Sequence, residues 1–232
     1  MFKSILISTA LVAVALFPVS TPAEDIVHEK YEWSDMWVAN ADVENGAPRV
    51  LLVGDSIVRG YYGGVEKNLG EGVNCARYST SKFLSHPDYL AELGVMIKRF
   101  HFDVIHINNG LHGWGYSEEQ YKVGLEALVT FLQKESPNSK IVWCMTTPVR
   151  DSKDLSNPDA DKLPRVEARN AIAAEIMKKH EIAIDDLYAV VVEDDANFSP
   201  DGVHFSDAGK EKQAKQVAEV VRPLLPAAKA AP

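Results

Sequence analysis

Cysteine is almost missing from this chain: Cys75 and Cys144 are the only two in 232 residues, too few for a disulfide framework or a thiolate-rich metal cage. Positive charge is also in deficit, with 24 Lys and Arg against 33 Asp and Glu and a net charge of −9. That balance excludes the electrostatic footprint expected for a nucleic acid or an anionic membrane surface as partner. Long apolar runs are scarce. The one that exists, Ile5 to Val19, is broken by Ser8, Thr9 and Pro18 and falls short of the roughly 20 residues that a membrane span requires. There is no His-Glu-x-x-His, and His101 and His106 lack metal-ligand spacing, so neither a metal nor another cofactor is expected. Internal repeats are absent as well, which leaves an ordinary globular chain.

What is present begins with a leader. Lys3 supplies a charged start, the broken apolar run follows, and Thr21-Pro22-Ala23 offers a small-x-small cleavage point. Residues 1–23 therefore read as a removable export signal, and a secreted or periplasmic location is expected. No cysteine follows the cleavage point to take a lipid. Residues 24–47, polar with Trp33 and Trp37 interspersed, read as an N-terminal arm. Residues 48–226 suit one domain with room for a core, and 227–232 form a frayed tail.

Within that domain apolar, β-branched runs alternate with helical periodicity. Strands are expected over 49–54, 72–77, 103–108, 140–145 and 182–184, and helices over 57–69, 88–99, 117–135, 164–180 and 207–224. Ser117-Glu-Glu-Gln120 has the form of a capping box and marks a helix start. Strict alternation implies a parallel sheet with helices on both faces, a three-layer α/β/α sandwich. A flavodoxin-like order, 2-1-3-4-5, puts the functional crevice beyond the carboxyl ends of the first and third strands. The same order separates Cys75 and Cys144 by two strands and predicts two buried free thiols.

Two short strings near opposite ends of the chain carry the chemistry. Gly54-Asp55-Ser56 follows the first strand, and Asp201-Gly-Val-His204 lies near the C-terminus. A serine hydroxyl becomes a competent nucleophile when a neutral imidazole accepts its proton, and a carboxylate must fix that imidazole's tautomer. Asp201 and His204 meet the second need on one turn; the fold must bring Ser56. Alone, Ser56 is also a good helix N-cap residue, and His204 an ordinary loop histidine. The order Ser, Asp, His is that of the α/β-hydrolases, yet Gly-x-Ser-x-Gly is absent because Val58 stands at its last position.

On these strings the sequence resembles the SGNH, or GDSL, hydrolase family. Val53-Gly54-Asp55-Ser56-Ile57 is similar to that family's first block and Asp201-Gly-Val-His204 to its last; Thr146-Thr147-Pro148, Asn170 and Asp185-Asp186-Leu187-Tyr188 are similar to accessory features between them. The resemblance implies a serine esterase with Ser56 as nucleophile, His204 as acid and base, and Asp201 as orienting carboxylate. Its middle blocks depart from the pattern. The second block, at Arg77 to Lys82, lacks the glycine whose N–H joins the oxyanion hole, so the N–H of Ser79 is the expected replacement beside that of Ser56. The third block, normally Gly-x-Asn-Asp, reads Asn109-Gly110-Leu111-His112-Gly113. Counting from the strand puts His112 at the usual asparagine. The donor chemistry argues instead for Asn109, whose amide donates at any pH, whereas an imidazole must present the right tautomer.

Asp55, Trp114 and Arg150, with Tyr61 and Tyr62, are expected near the crevice as substrate contacts, with ordinary core or rim roles as the alternative. Asn197-Phe-Ser199 has the form of a glycosylation sequon with Pro200 beside it. The expected substrate is a small-molecule or glycan ester carrying a short acyl group, acetyl above all. A lipolytic or thioester-cleaving enzyme is the first rival, and a catalytically silent carbohydrate-binding protein on the same fold is the second.

Overall fold

The computed structural model describes residues 26–42 and 46–226, so the expected leader and tail lie outside the described residues. A six-stranded sheet forms the middle layer. Its strands are β1 (Ser34–Val38), β2 (Arg49–Gly54), β3 (Asn74–Thr80), β4 (Val104–Ile107), β5 (Lys140–Cys144) and, after two short strands treated below, β8 (Ala183–Asp185). Their order across the sheet is β1-β3-β2-β4-β5-β8. From β3 to β8 all neighbours are parallel, and the five parallel strands stand in the expected 2-1-3-4-5 order.

The sheet differs from expectation at one edge. β1, from the supposedly irregular arm, adds antiparallel to β3 with Ser34 opposite Thr80 and Val38 opposite Ala76. It is short and polar, as edge strands tend to be, and its register explains why β3 runs on to Thr80 and not only to Arg77. Also unanticipated is a hairpin of β6 (Arg150–Asp151) and β7 (Asp154–Pro158), too short to leave a period in the sequence.

The helices α1 (Ser56–Leu69), α2 (Pro87–Arg99), α3 (Glu118–Glu135), α4 (Leu163–Lys179), α5 (Leu187–Val191) and α6 (Asp207–Val221) cover both faces. Alternation along β2 divides the core: Val50 and Leu52 pack with Tyr61 and Val65 of α1 and Val217 of α6. Leu51 and Val53 pack on the other face with Leu93 of α2, Leu125 of α3 and Ile176 of α4. α6 stops at Val221 and gives way to a 3-10 turn, Arg222–Leu224, because Pro223 has no N–H for the ladder. The capping box at Ser117 and Gln120 forms as its spacing implies. Cys75 and Cys144 are both buried and free. They lie on strands three places apart, roughly 14 Å at ordinary strand spacing, about twice what a disulfide tolerates.

Candidate active site

Gly54 ends β2 and the chain turns at once into α1. Asp55 takes the N-cap, its Oδ1 accepting from the N–H of Ile57 at 2.8 Å. Since Asp55 performs the capping, Ser56 stands one place inside the helix and its hydroxyl is left for another partner. That partner is His204: Nε2 lies 2.8 Å from Ser56 Oγ, and Nδ1 lies 2.7 Å from Asp201 Oδ2. A carboxylate only accepts, so Asp201 fixes the imidazole proton on Nδ1 and leaves the Nε2 lone pair for the serine O–H. The other oxygen, Asp201 Oδ1, accepts from the N–H groups of Val203 and His204, each at 2.9 Å. Burial works against the charge on Asp201, but the hydrogen bond from His204 and these two backbone donors outweigh it and hold the carboxyl below its ordinary pKa. The side chains of His204 and Asp201 are 44% and 52% exposed, so the relay stands at an open rim.

The turn bearing this pair is rigidly built. Gly202 adopts φ +72°, and a Cβ there would run into the carbonyl oxygen of Arg150. The Arg150 N–H donates to Gly202 O at 2.8 Å, and Ser199 N–H to His204 O at 2.8 Å. Arg150 itself serves this turn, not a free subsite: its guanidinium donates to Val192 O, pairs with Asp195 at 3.4 Å and lies over the Phe198 ring at 5.2 Å.

The third block forms the opposite wall, and it is held from far away. Asn108 Nδ2 donates to Cys144 O at 2.7 Å, tying β4 to β5. Asn109 Nδ2 donates to Lys82 O at 2.9 Å, so this amide braces the second block and is 5% exposed. A Cβ on Gly110 would collide with the Thr146 side chain, whose Oγ1 accepts from Asn108 Nδ2 at 3.1 Å, while Asn170 holds the Thr146 backbone: Oδ1 accepts from Thr146 N and Nδ2 donates to Thr146 O, both at 2.9 Å. Beneath the loop, Arg169 is fully buried and donates to the carbonyls of Gly110, His112 and Gly113 at 2.7, 2.8 and 3.2 Å. Burial, with Arg165 nearby, pushes its pKa down to about 10, still far above neutrality.

His112 stands at the surface of this wall. Its Nδ1 lies 2.8 Å from Glu29 Oε2, and the other Glu29 oxygen accepts from the Gly113 N–H at 2.8 Å. Neither Glu29 nor Arg169 has any signature in the sequence, because each acts through contacts more than 50 residues away. Trp33 comes from the arm as well. Its ring meets His112 edge-on at 6.3 Å and faces the Arg59 guanidinium at 5.2 Å, which brings the arm against the first turn of α1.

The second block does not supply the donor expected of it. Ser79 is fully buried, opposite Gly54 on one side and Asp35 on the other. An in-plane N–H there points at a neighbouring strand, not at the crevice. Beyond it, Ser81 N–H donates to Trp33 O at 3.0 Å and Lys82 N–H to Thr80 Oγ1 at 3.1 Å. The arm strand, invisible as such in the sequence, closes this edge.

Of the remaining expected contacts, Asp55 is buried beside the nucleophile. Burial raises its pKa, partly offset by His112, the Ile57 N–H and His204. Trp114 is half-buried and engaged by Arg169 at 4.8 Å and Arg165 at 5.6 Å; it lines a groove of about 430 Å3 with Glu29, Lys30 and His112. Tyr61 and Tyr62 are core residues, and the Tyr62 hydroxyl donates to Glu66 and to Cys75 O. Asn197 is 1% exposed and its Nδ2 donates to Val191 O at 3.0 Å, so this sequon offers no free amide.

The fold has known counterparts. An aryl esterase from M. smegmatis superposes with a TM-score of 0.66 at 16% identity, over 77% of this chain and 100% of its own. A carbohydrate acetylesterase from Sinorhizobium meliloti gives 0.61 at 14%, over 76% and 99%, and a lipase/acylhydrolase from Enterococcus faecalis 0.59 at 20%, over 79% and 100%. No curated protein matches the chain by sequence. A family model does, spanning residues 52–212 from β2 into α6. By that match and by its SGNH architecture, the chain belongs to the GDSL-like lipase/acylhydrolase family.

Proposed function

We propose that this protein is an exported serine esterase that removes small acyl groups, acetyl in particular, from carbohydrate esters. The observation that carries the catalytic part is the continuous relay Ser56 Oγ–His204 Nε2 at 2.8 Å and His204 Nδ1–Asp201 Oδ2 at 2.7 Å. In the proposed cycle Ser56 attacks the ester carbonyl while His204 takes the hydroxyl proton. The Ser56 N–H, in the first helical turn where it has no intrahelical acceptor, donates to the oxyanion. His204 then protonates the leaving alcohol, and water, activated by the same imidazole, releases the acid from the acyl-enzyme. The chain's own groups suffice for each step.

Carbohydrate as the acyl carrier is supported by the open rim at His204 and Asp201 and by the groove beside His112 and Trp114, whose aromatic face suits a sugar ring. Export is supported by the leader pattern in residues 1–23. Ser56→Ala is expected to lower ester turnover by several orders of magnitude with the fold intact; an undiminished rate overturns the esterase reading. Fluorophosphonate should label the native protein at Ser56, and a failure to label points to a silent carbohydrate-binding protein. With acetyl and octanoyl esters of one chromogenic alcohol, the acetyl ester should be preferred; strong preference for octanoyl overturns the substrate class and favours a lipolytic or thioester-cleaving enzyme.

A further inference from the structure

We propose that His112, held by Glu29 of the N-terminal arm, is the side-chain oxyanion donor of this site, and that Glu29 is its positioning residue. The inference rests on the esterase reading above. Donors that the crevice might have used are engaged elsewhere: one of the two N–H groups of Asn109 Nδ2 goes to Lys82 O, Ser81 N–H to Trp33 O and Lys82 N–H to Thr80 Oγ1.

His112 is different in kind. Glu29 grips it at two points, Nδ1 of the ring and the N–H of the next residue, while Arg169 holds its carbonyl from below. Both bonds of the Glu29 carboxylate are accepted, so the Nδ1 proton is fixed. Nε2 makes no hydrogen bond among the described residues. His112 and His204 both act electrostatically on the buried carboxyl of Asp55, next to the nucleophile, so both imidazoles stand near the Ser56 turn. One imidazole has its Nδ1 held by Asp201 and works as a base; the other has its Nδ1 held by Glu29 and is free to donate from Nε2.

Donation from Nε2 while Nδ1–H is also held requires the imidazolium. Four charged or titratable groups bear on that state: Glu29 from the arm, Asp55 before α1, and Arg169 and Glu118 from α4 and α3 behind the loop, the last through its pairing with Arg169. Burial disfavours the cation, but the bond to Glu29 and the charges of Asp55 and Glu29 outweigh both burial and Arg169, and the pKa of His112 is raised. The donor is therefore present below this raised pKa and lost as pH climbs through it.

The test is a cycle of variants in the full-length protein. His112→Ala should lower kcat on an acetyl ester by about 10²- to 10³-fold, the usual loss for one oxyanion donor. Glu29→Gln should lower it on the order of tenfold, since a charge-assisted hydrogen bond becomes a neutral one, and should move the alkaline limb of kcat to lower pH. His112→Asn supplies an amide that donates at any pH, so it should retain most activity, lose the alkaline limb, and make Glu29→Gln harmless in its background. Ring 15N shifts of His112 should report a lower pKa in Glu29→Gln. An alkaline limb that stays put in both Glu29→Gln and His112→Asn, or full activity in His112→Ala, overturns the inference. In those cases Ser56 labelling and native turnover remain, whereas failure of the esterase reading would abolish both in the wild-type protein.

Discussion

The two walls of the crevice are made in opposite ways. The Asp201–His204 turn is local and half exposed: one carboxylate binds its own backbone at two N–H groups and the imidazole three residues on. The Asn109–Gly113 wall is braced by residues from four remote elements, namely Lys82, Thr146, Arg169 and Glu29. A local turn keeps its geometry when distant contacts fail, whereas a braced wall inherits the stability of every element that touches it. Chemistry and stability should therefore separate between the walls.

The largest separation is expected at the local wall. Asp201→Asn and His204→Ala should each reduce kcat by about 10³ to 10⁴, as loss of a triad member does, with thermal midpoints near that of the wild type. A fall of many degrees in either would merge the two walls and break the contrast. At the braced wall, Arg169→Met should cost about 3 kcal/mol, since it strips three buried carbonyls of their donor, and lower the midpoint by roughly 10 °C; calorimetry measures it. Gly202→Ala is the exception that sharpens the rule. It belongs to the local turn yet meets Arg150 O at a positive φ, and about 2 kcal/mol of destabilisation is expected.

Smallest is the effect of pH on the local turn's own stability. Asp201 has a depressed pKa when folded, so its contribution is present above the unfolded value and lost as pH falls through the folded one. Its exposure keeps that contribution slight. Chemical denaturation from neutral to strongly acid pH should show wild type and Asp201→Asn converging as the medium becomes acid.

The same contrast separates what could be read from the chain before its structure was in hand. The five parallel strands, their order and the helices between them follow from apolar runs of 3 to 6 residues alternating with longer amphipathic stretches, because burial on two faces leaves a dense local signal. Ser56, Asp201 and His204 were equally legible, since their order and placement at strand ends and before α6 restrict the chemistry. The expected N–H of Ser79 was not borne out as an open donor, because β1 pairs across it. Nothing in Ser34–Val38 advertises a strand: the segment is five residues long and gains its pairing only when β3 is already in place. Arg169 reads as one more polar residue on a helix, although it is fully buried. Glu29 lies 83 residues from His112, a separation at which sequence pattern carries no trace of contact. The sequence argument preferred Asn109 over His112 on donor chemistry; that one N–H of this amide goes to Lys82 O is a contact that donor chemistry alone does not reveal.

The two thiols have a consequence of their own. Cys75 is pushed up to about 12 and Cys144 also upward, each by burial first, so almost no thiolate exists near neutrality to attack an oxidant or a disulfide. Separated by two strands, they cannot reach each other. The folded protein therefore closes no internal disulfide, and its fold owes nothing to the redox state of its surroundings.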